Sequence, residues 1–205
     1  MSREAAKMSP SFHPARRPNI LFFFSYQHRP DWLGVNSAVP ARTPNTDRLA
    51  GRGVRFTRAF CTSPLCAPSR ASLASGRTYD RCGVASNGQD YPLDQPTYYQ
   101  ALRAAGYRVA GVGKFDLHKP TLDWNLNGSR LLPEWGFTEG IDNEGKFDGS
   151  QSYRANGRQP KGPYLAFLKQ RGLADSYVDE HSPAFRRPRL DAYTTQSDLF
   201  EVRAE

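Results

Sequence analysis

The chain of 205 residues is poor in cysteine and methionine and has no long apolar run. Its three cysteines, Cys61, Cys66 and Cys82, are an odd number, so they cannot form a complete disulfide framework. Cys61 and Cys66 are the closest two, and no second pair follows at ligand spacing, which argues against a structural zinc site. Nowhere do about eighteen apolar residues run together, so no membrane-spanning helix is expected. Residues 1–17 are rich in Ser, Pro and Arg and contain no apolar signal core; they read as a mobile leader, and the chain as a resident of the reducing cytoplasm. A comb of alternating basic and aromatic residues is missing too. Lys and Arg number 28 against 20 Asp and Glu, for a net charge of +8. The longest basic runs are nevertheless only Arg16-Arg17 and Arg186-Arg187, so the excess reads as a solvated cationic surface and not as a nucleic-acid site.

What is present points to one domain of alternating helix and strand. Hydrophobic residues make up 38% of the chain, enough for one ordinary core. Pro18 opens Asn19-Ile20-Leu21-Phe22-Phe23-Phe24-Ser25, too short for a helix and too uniformly apolar for a half-exposed strand, so it reads as a central buried strand. Thr43 followed by Pro44 predicts a capped helix start, stopped at Gly51 or Gly53, and residues 54–60 alternate apolar with polar as a strand does. Residues 96–105 predict another helix, turned by Gly106-Tyr107 into a strand over 108–112. This order argues for an α/β structure around a largely parallel sheet. Beyond Asp116 the signal thins. Gly, Asn, Pro and Asp crowd residues 121–163, a helix is expected over 162–172, and residues 173–205 read as extended or poorly ordered.

Residues 66–77, Cys-Ala-Pro-Ser-Arg-Ala-Ser-Leu-Ala-Ser-Gly-Arg, carry the chemistry. Pro68 and Ser69 suit the first turn of a helix that Gly76 would end. Cys66 and Arg70, four apart, then share a face, and the open N–H groups of the first turn would converge with a guanidinium on a tetrahedral anion. A buried inert cysteine and a surface arginine are the bland alternatives, which the whole string outweighs.

This string resembles the signature by which sulfatases have a catalytic cysteine oxidised to formylglycine. Pro18 to Leu21, Thr43 to Ala50, Gly53 to Thr57 and Gly106 to Lys114 are also similar to sulfatase N-terminal segments, so the resemblance covers roughly residues 18–145. It implies an alkaline-phosphatase-like α/β sandwich of which this chain, with its catalytic region at 18–172, is the N-terminal part, incomplete at the C-terminal side. It implies hydrolysis of a sulfate ester of a small molecule or sugar, with a formylglycine-generating enzyme as maturation partner. Cys66 would become the nucleophile and a metal ligand, Arg70 would steady its hydrated form, and Lys114, after Gly113, would contact a sulfate oxygen. The family places a histidine two residues after that lysine; here the position is Asp116, so His118 either supplies the imidazole or is a bystander in a polar loop.

The resemblance also implies a divalent cation, generally calcium, whose first carboxylate comes from a segment like Asp-Gln-His-Arg. Here the run is Tyr26-Gln27-His28-Arg29. Gln27 offers an amide oxygen, Tyr26 is a poor ligand for a hard cation, and Asp31 is too far along to replace the aspartate without loop movement. No segment resembling the family's downstream carboxylates, lysine and histidine follows; Asp142-Asn143 is only superficially similar. The expectation is therefore weak or absent cation binding and impaired turnover, with a catalytically inactive binder of anionic esters as the alternative.

Overall fold

The computed structural model describes residues 17–26 and 28–180. The chain divides into two compact units, residues 1–59 and 60–205.

In the first unit two 3-10 turns, Pro30–Trp32 and Gly34–Asn36, precede helix α1, Pro44–Ala50. Pro44 stands at the first helical position, where its missing N–H is no loss. Thr43 does not cap the helix with its side chain. Its hydroxyl instead donates to Asp47 Oδ1 (2.8 Å) and accepts from the Gly34 amide (2.7 Å), while Asp47 Oδ1 also accepts from Val35 N (2.9 Å). The expected cap is thus diverted into tying the preceding turn to α1.

Two expected strands are not found. Residues 19–25 and 54–60 lie outside any strand; Phe23 is 90% exposed and Val54 82%. Their composition suits a sheet interior, but a strand exists through its neighbours, and among the described residues neither segment has a hydrogen-bonded strand beside it.

The second unit begins its regular structure with α2, Cys66–Ser75, which starts at the cysteine and ends at left-handed Gly76, as the sequence predicts. Its inward face is made of small side chains, Ala67, Ala71 and Ala74, all buried, which lets the helix pack closely into a core with Tyr99, Trp135 and Phe137. Helix α3, Tyr98–Ala104, carries a capping box: the Thr97 hydroxyl accepts from Gln100 N and the Gln100 side chain accepts from Thr97 N. Gly106-Tyr107 then turns the chain into β1, Ala110–Gly113, and after a short helix α4, Leu132–Trp135, comes β2, Glu139–Asp142. The strands pair in parallel, Ala110 opposite Glu139 through to Gly113 opposite Asp142. The α/β alternation is therefore present, in a two-stranded sheet.

Helices α5 (Lys146–Ala155), α6 (Pro163–Gln170) and α7 (Ala174–Glu180) enclose a second core of Tyr153, Tyr164, Leu165, Leu168, Tyr177 and Val178. Helix α6 matches its expected position. Helix α7 differs from expectation, since the chain from residue 173 reads as extended; Ala174, Tyr177 and Val178 supply a short apolar face at helical spacing and are buried. Residues 1–16 and 181–205, the rest of the expected leader and tail, lie outside the described residues. No helix among the described residues is long and apolar enough to cross a membrane.

Two features of this fold are directly testable. A Cβ on Gly140 would overlap the carbonyl oxygen of Gly111 on the facing strand. Gly140→Ala should therefore destabilise the protein by about 2 kcal/mol or more, read as a lower urea midpoint. Glu144, just past β2 and fully buried, accepts hydrogen bonds from Tyr164 N (3.2 Å) and Leu165 N (2.8 Å) at the start of α6. Burial pushes its carboxyl up from the usual 4.5 to about 7, against the opposing pull of those amides. The folded chain thus holds this proton more tightly than the unfolded chain. The stabilisation is complete below the unfolded value of 4.5 and is lost as pH rises through about 7. Glu144→Gln, which keeps a carbonyl acceptor, should remove about 3 kcal/mol of pH-dependent loss across that window; identical slopes for both proteins in urea titrations at several pH values would contradict it.

Candidate functional site

The second unit brings together α2 and the loops that follow the carboxyl ends of two parallel strands, the place where α/β sheets generally hold ligands. Cys66 occupies the first position of α2 and is half-buried. The first turn does not present a row of open amides, contrary to the expectation from helix geometry. Ala67 N donates to Asn87 Oδ1 (2.9 Å), Pro68 has no N–H, and Ser69 N already makes a helical bond to Leu65 O. Binding of an anion here has to come chiefly from side chains.

Arg70 lies one turn beyond Cys66. Its guanidinium donates through Nη1 to the backbone carbonyl of Lys114, so it joins α2 to the loop after β1. Gly113 precedes that lysine with φ 131, a conformation that side chains rarely adopt, and no atom lies near where a Cβ would stand. The glycine is needed for its backbone angle, and not to let another group approach closely.

Lys114 points its ammonium to Asp116 Oδ2 at 2.9 Å. Asp116 is in the left-handed region (φ 54), and its side chain is completely buried. Lys119 approaches the same oxygen at 3.6 Å and pairs with Asp148 on α5. The side chains of Lys114 and Lys119 are only 12% and 11% exposed. Yet neither oxygen of Asp116 receives an aligned hydrogen bond, so charge holds it in place. Gly145, after β2, backs the cluster: a Cβ there would stand 3.1 Å from Lys114 Nζ.

His118 does not face this cluster. It is 1% exposed, its Nε2 lies 3.0 Å from Asp142 Oδ2, and its ring stacks on Trp135 at 5.2 Å. Asp142 Oδ1 accepts from Phe115 N (2.9 Å), so the pair fastens the loop after β1 to the end of β2. Burial raises the Asp142 carboxyl above the usual range, and His118 and the Phe115 amide pull it back down. This setting suits a residue that positions the loop rather than one that exchanges protons with a ligand. Asn143 is buried beside it, and neither atom of its side-chain amide has a hydrogen-bond partner.

In the first unit Tyr26 is exposed, and Asp31 is paired with Arg29; Gln27 lies outside the described residues. Among the described residues no group of three or more His, Cys, Asp and Glu is arranged to hold a metal ion. The buried carboxylates Asp116 and Asp142 face ammonium or imidazole groups instead. The described residues therefore do not by themselves fit a divalent cation. All three cysteines are free thiols.

The structure brings Arg70 and Lys114 together; sequence reasoning did not name Lys119 and Asp148 as partners, and it considered Asp142 only as part of a pair superficially similar to metal ligands. The Asp116-Leu-His-Lys run carried a signal for the first. Asp148 had none, because only the packing of α5 brings it near.

The family model described as Sulfatase matches residues 18–191. The chain is 32% identical over 113 residues to N-acetylglucosamine-6-O-sulfatase of Bacteroides thetaiotaomicron, covering 55% of this chain and 20% of that protein. It is 38% identical over 133 residues to human arylsulfatase A, covering 60% and 24%, and 38% identical over 104 residues to choline-sulfatase of Rhizobium meliloti, covering 51% and 20%. It thus spans between a fifth and a quarter of the length of these curated relatives. With most of the chain inside the family model and the signature cysteine at the head of a helix, this protein belongs to the sulfatase family.

Proposed function

We propose that this chain carries the nucleophile-bearing part of a sulfuric ester hydrolase, with Cys66 converted to formylglycine by a formylglycine-generating enzyme. The observation that carries the reading is the bond from Arg70 to the Lys114 carbonyl, which draws the helix of the signature cysteine to the lysine that follows β1. When present, the hydrated aldehyde supplies a hydroxyl that attacks sulfur and a second hydroxyl whose deprotonation expels the sulfate. Arg70 orients the loop and adds positive charge one turn from the nucleophile. Lys114 meets the ester oxygens and offsets negative charge that grows as the bond to the leaving group breaks. Asp142 and His118 keep the lysine's loop in register with β2. The names of the relatives suggest an amino-sugar, aryl or choline sulfate as substrate type. The odd number of cysteines, which leaves no complete disulfide framework, supports the cytoplasm as its compartment.

A second reading, a sulfatase-like chain that binds anionic esters without turnover, is favoured by one feature. Tyr26 stands where the family's aspartate is expected, and a neutral phenol is a poor ligand for a hard cation. Both readings share the anion site and differ at Cys66.

The tryptic peptide Ala59 to Arg70 contains Cys61 and Cys66. After coexpression with the maturing oxidase, it should appear about 18 Da lighter, with the change on Cys66 alone, if the aldehyde nucleophile forms. Only unmodified thiol at both positions would favour the second reading.

A further inference from the structure

The charge cluster behind Lys114 contains more than the family signature needs. Arg70, Lys114 and Lys119 stand with the carboxylates Asp116 and Asp148, and the His118–Asp142 pair lies beside them. Asp116 is the hinge of the arrangement: it is fully buried, touches both ammonium groups, and has no aligned hydrogen bond to either oxygen. We propose that Asp116 is a specificity-determining residue, whose charge shifts the balance of the site toward a monoanionic sulfate ester and away from a dianionic ester such as a phosphate monoester.

This rests on Lys114 being a contact for the bound ester. The physical argument is one of charge alone. A sulfate monoester carries one negative charge, whereas a phosphate monoester above its second pKa of about 6 carries two. Coulomb energy is linear in the ligand's charge, so a change in site charge acts twice as strongly on the dianion as on the monoanion. That difference keeps its sign whatever other fixed charges surround the site. The near-complete burial of Asp116, Lys114 and Lys119 limits screening by salt.

Two substitutions of opposite sign test it. Asp116→Asn removes a negative charge with little change of shape, and asparagine tolerates the left-handed backbone found there. Lys119→Met removes a positive charge. Binding of 4-nitrophenyl sulfate and 4-nitrophenyl phosphate to the full chain is measured by calorimetry at pH 8, with circular dichroism to confirm folding. Asp116→Asn should shift the ratio of dissociation constants roughly tenfold toward the phosphate ester, and Lys119→Met should shift it the other way. The same ratio in folded wild type and either variant, with binding intact, overturns the role of Asp116 and leaves the ester site standing. No binding of either ester to folded wild type overturns the ester site itself, and this inference with it. Should Asp116→Asn fail to fold, Asp116→Gly, which also removes the charge and suits the left-handed backbone, takes its place with the same expected shift.

Discussion

The hydrogen bond from the Arg70 guanidinium to the Lys114 carbonyl is the constraint on which the site depends. It connects two segments 44 residues apart in the chain, one a helix whose buried face is mostly alanine and the other a loop leaving a parallel strand. An arginine can do this because its fork of donors is rigid and always charged; a lysine would offer a mobile point charge. Spending the guanidinium partly on backbone also has a consequence for the ligand. It fixes where the Lys114 side chain departs, and so where the second cation lies relative to Cys66.

Around that link the protein buries a cluster of charged groups. A lysine pair and two carboxylates are taken largely out of water, and such groups are tolerated only when each faces an opposite charge. Asp116 meets that condition by distance but not by hydrogen-bond alignment, and it does so on a backbone angle that costs a non-glycine residue roughly 1 kcal/mol or more. Under the proposed function, the bound ester accounts for strain and unsatisfied polar atoms lying together at this place. By contrast, Glu144 is buried in the same stretch of chain and is satisfied by two amides of α6, a structural use of a carboxylate.

The sequence made α2 legible through its end at Gly76, and α3 through the helical spacing of Tyr99, Leu102 and Ala105. β1 was legible from its turn. β2 was not, since Glu-Gly-Ile-Asp holds a single apolar side chain and takes its structure from β1. α5 was hidden for a related reason: Gly149, Ser150 and Ser152 lie on its buried face, so no apolar stripe appears. The opposite error arose at residues 19–25 and 54–60, where the expected composition is present without pairing partners. Composition reports what a segment would bury, whereas pairing decides whether it does. For the site, spacing was enough to place Cys66 and Arg70 on one turn, but no spacing rule could assign His118 to Asp142, which requires the register of the two strands.

The mouth of α2 shows where helix arguments reach their limit. A helix of ten residues has a dipole that favours anions at its start, and sequence alone suggests a nest of amides there. Pro68 deletes one of those donors and Asn87 occupies another, so the attraction that remains is mostly the dipole itself and nearby side chains. Hydrogen-bond donors fixed in a backbone select an anion by shape; ammonium groups select it by charge. On the proposed reading, a site that has given up much of the first and kept the second discriminates by its net charge, which gives leverage to the buried carboxylate between Lys114 and Lys119.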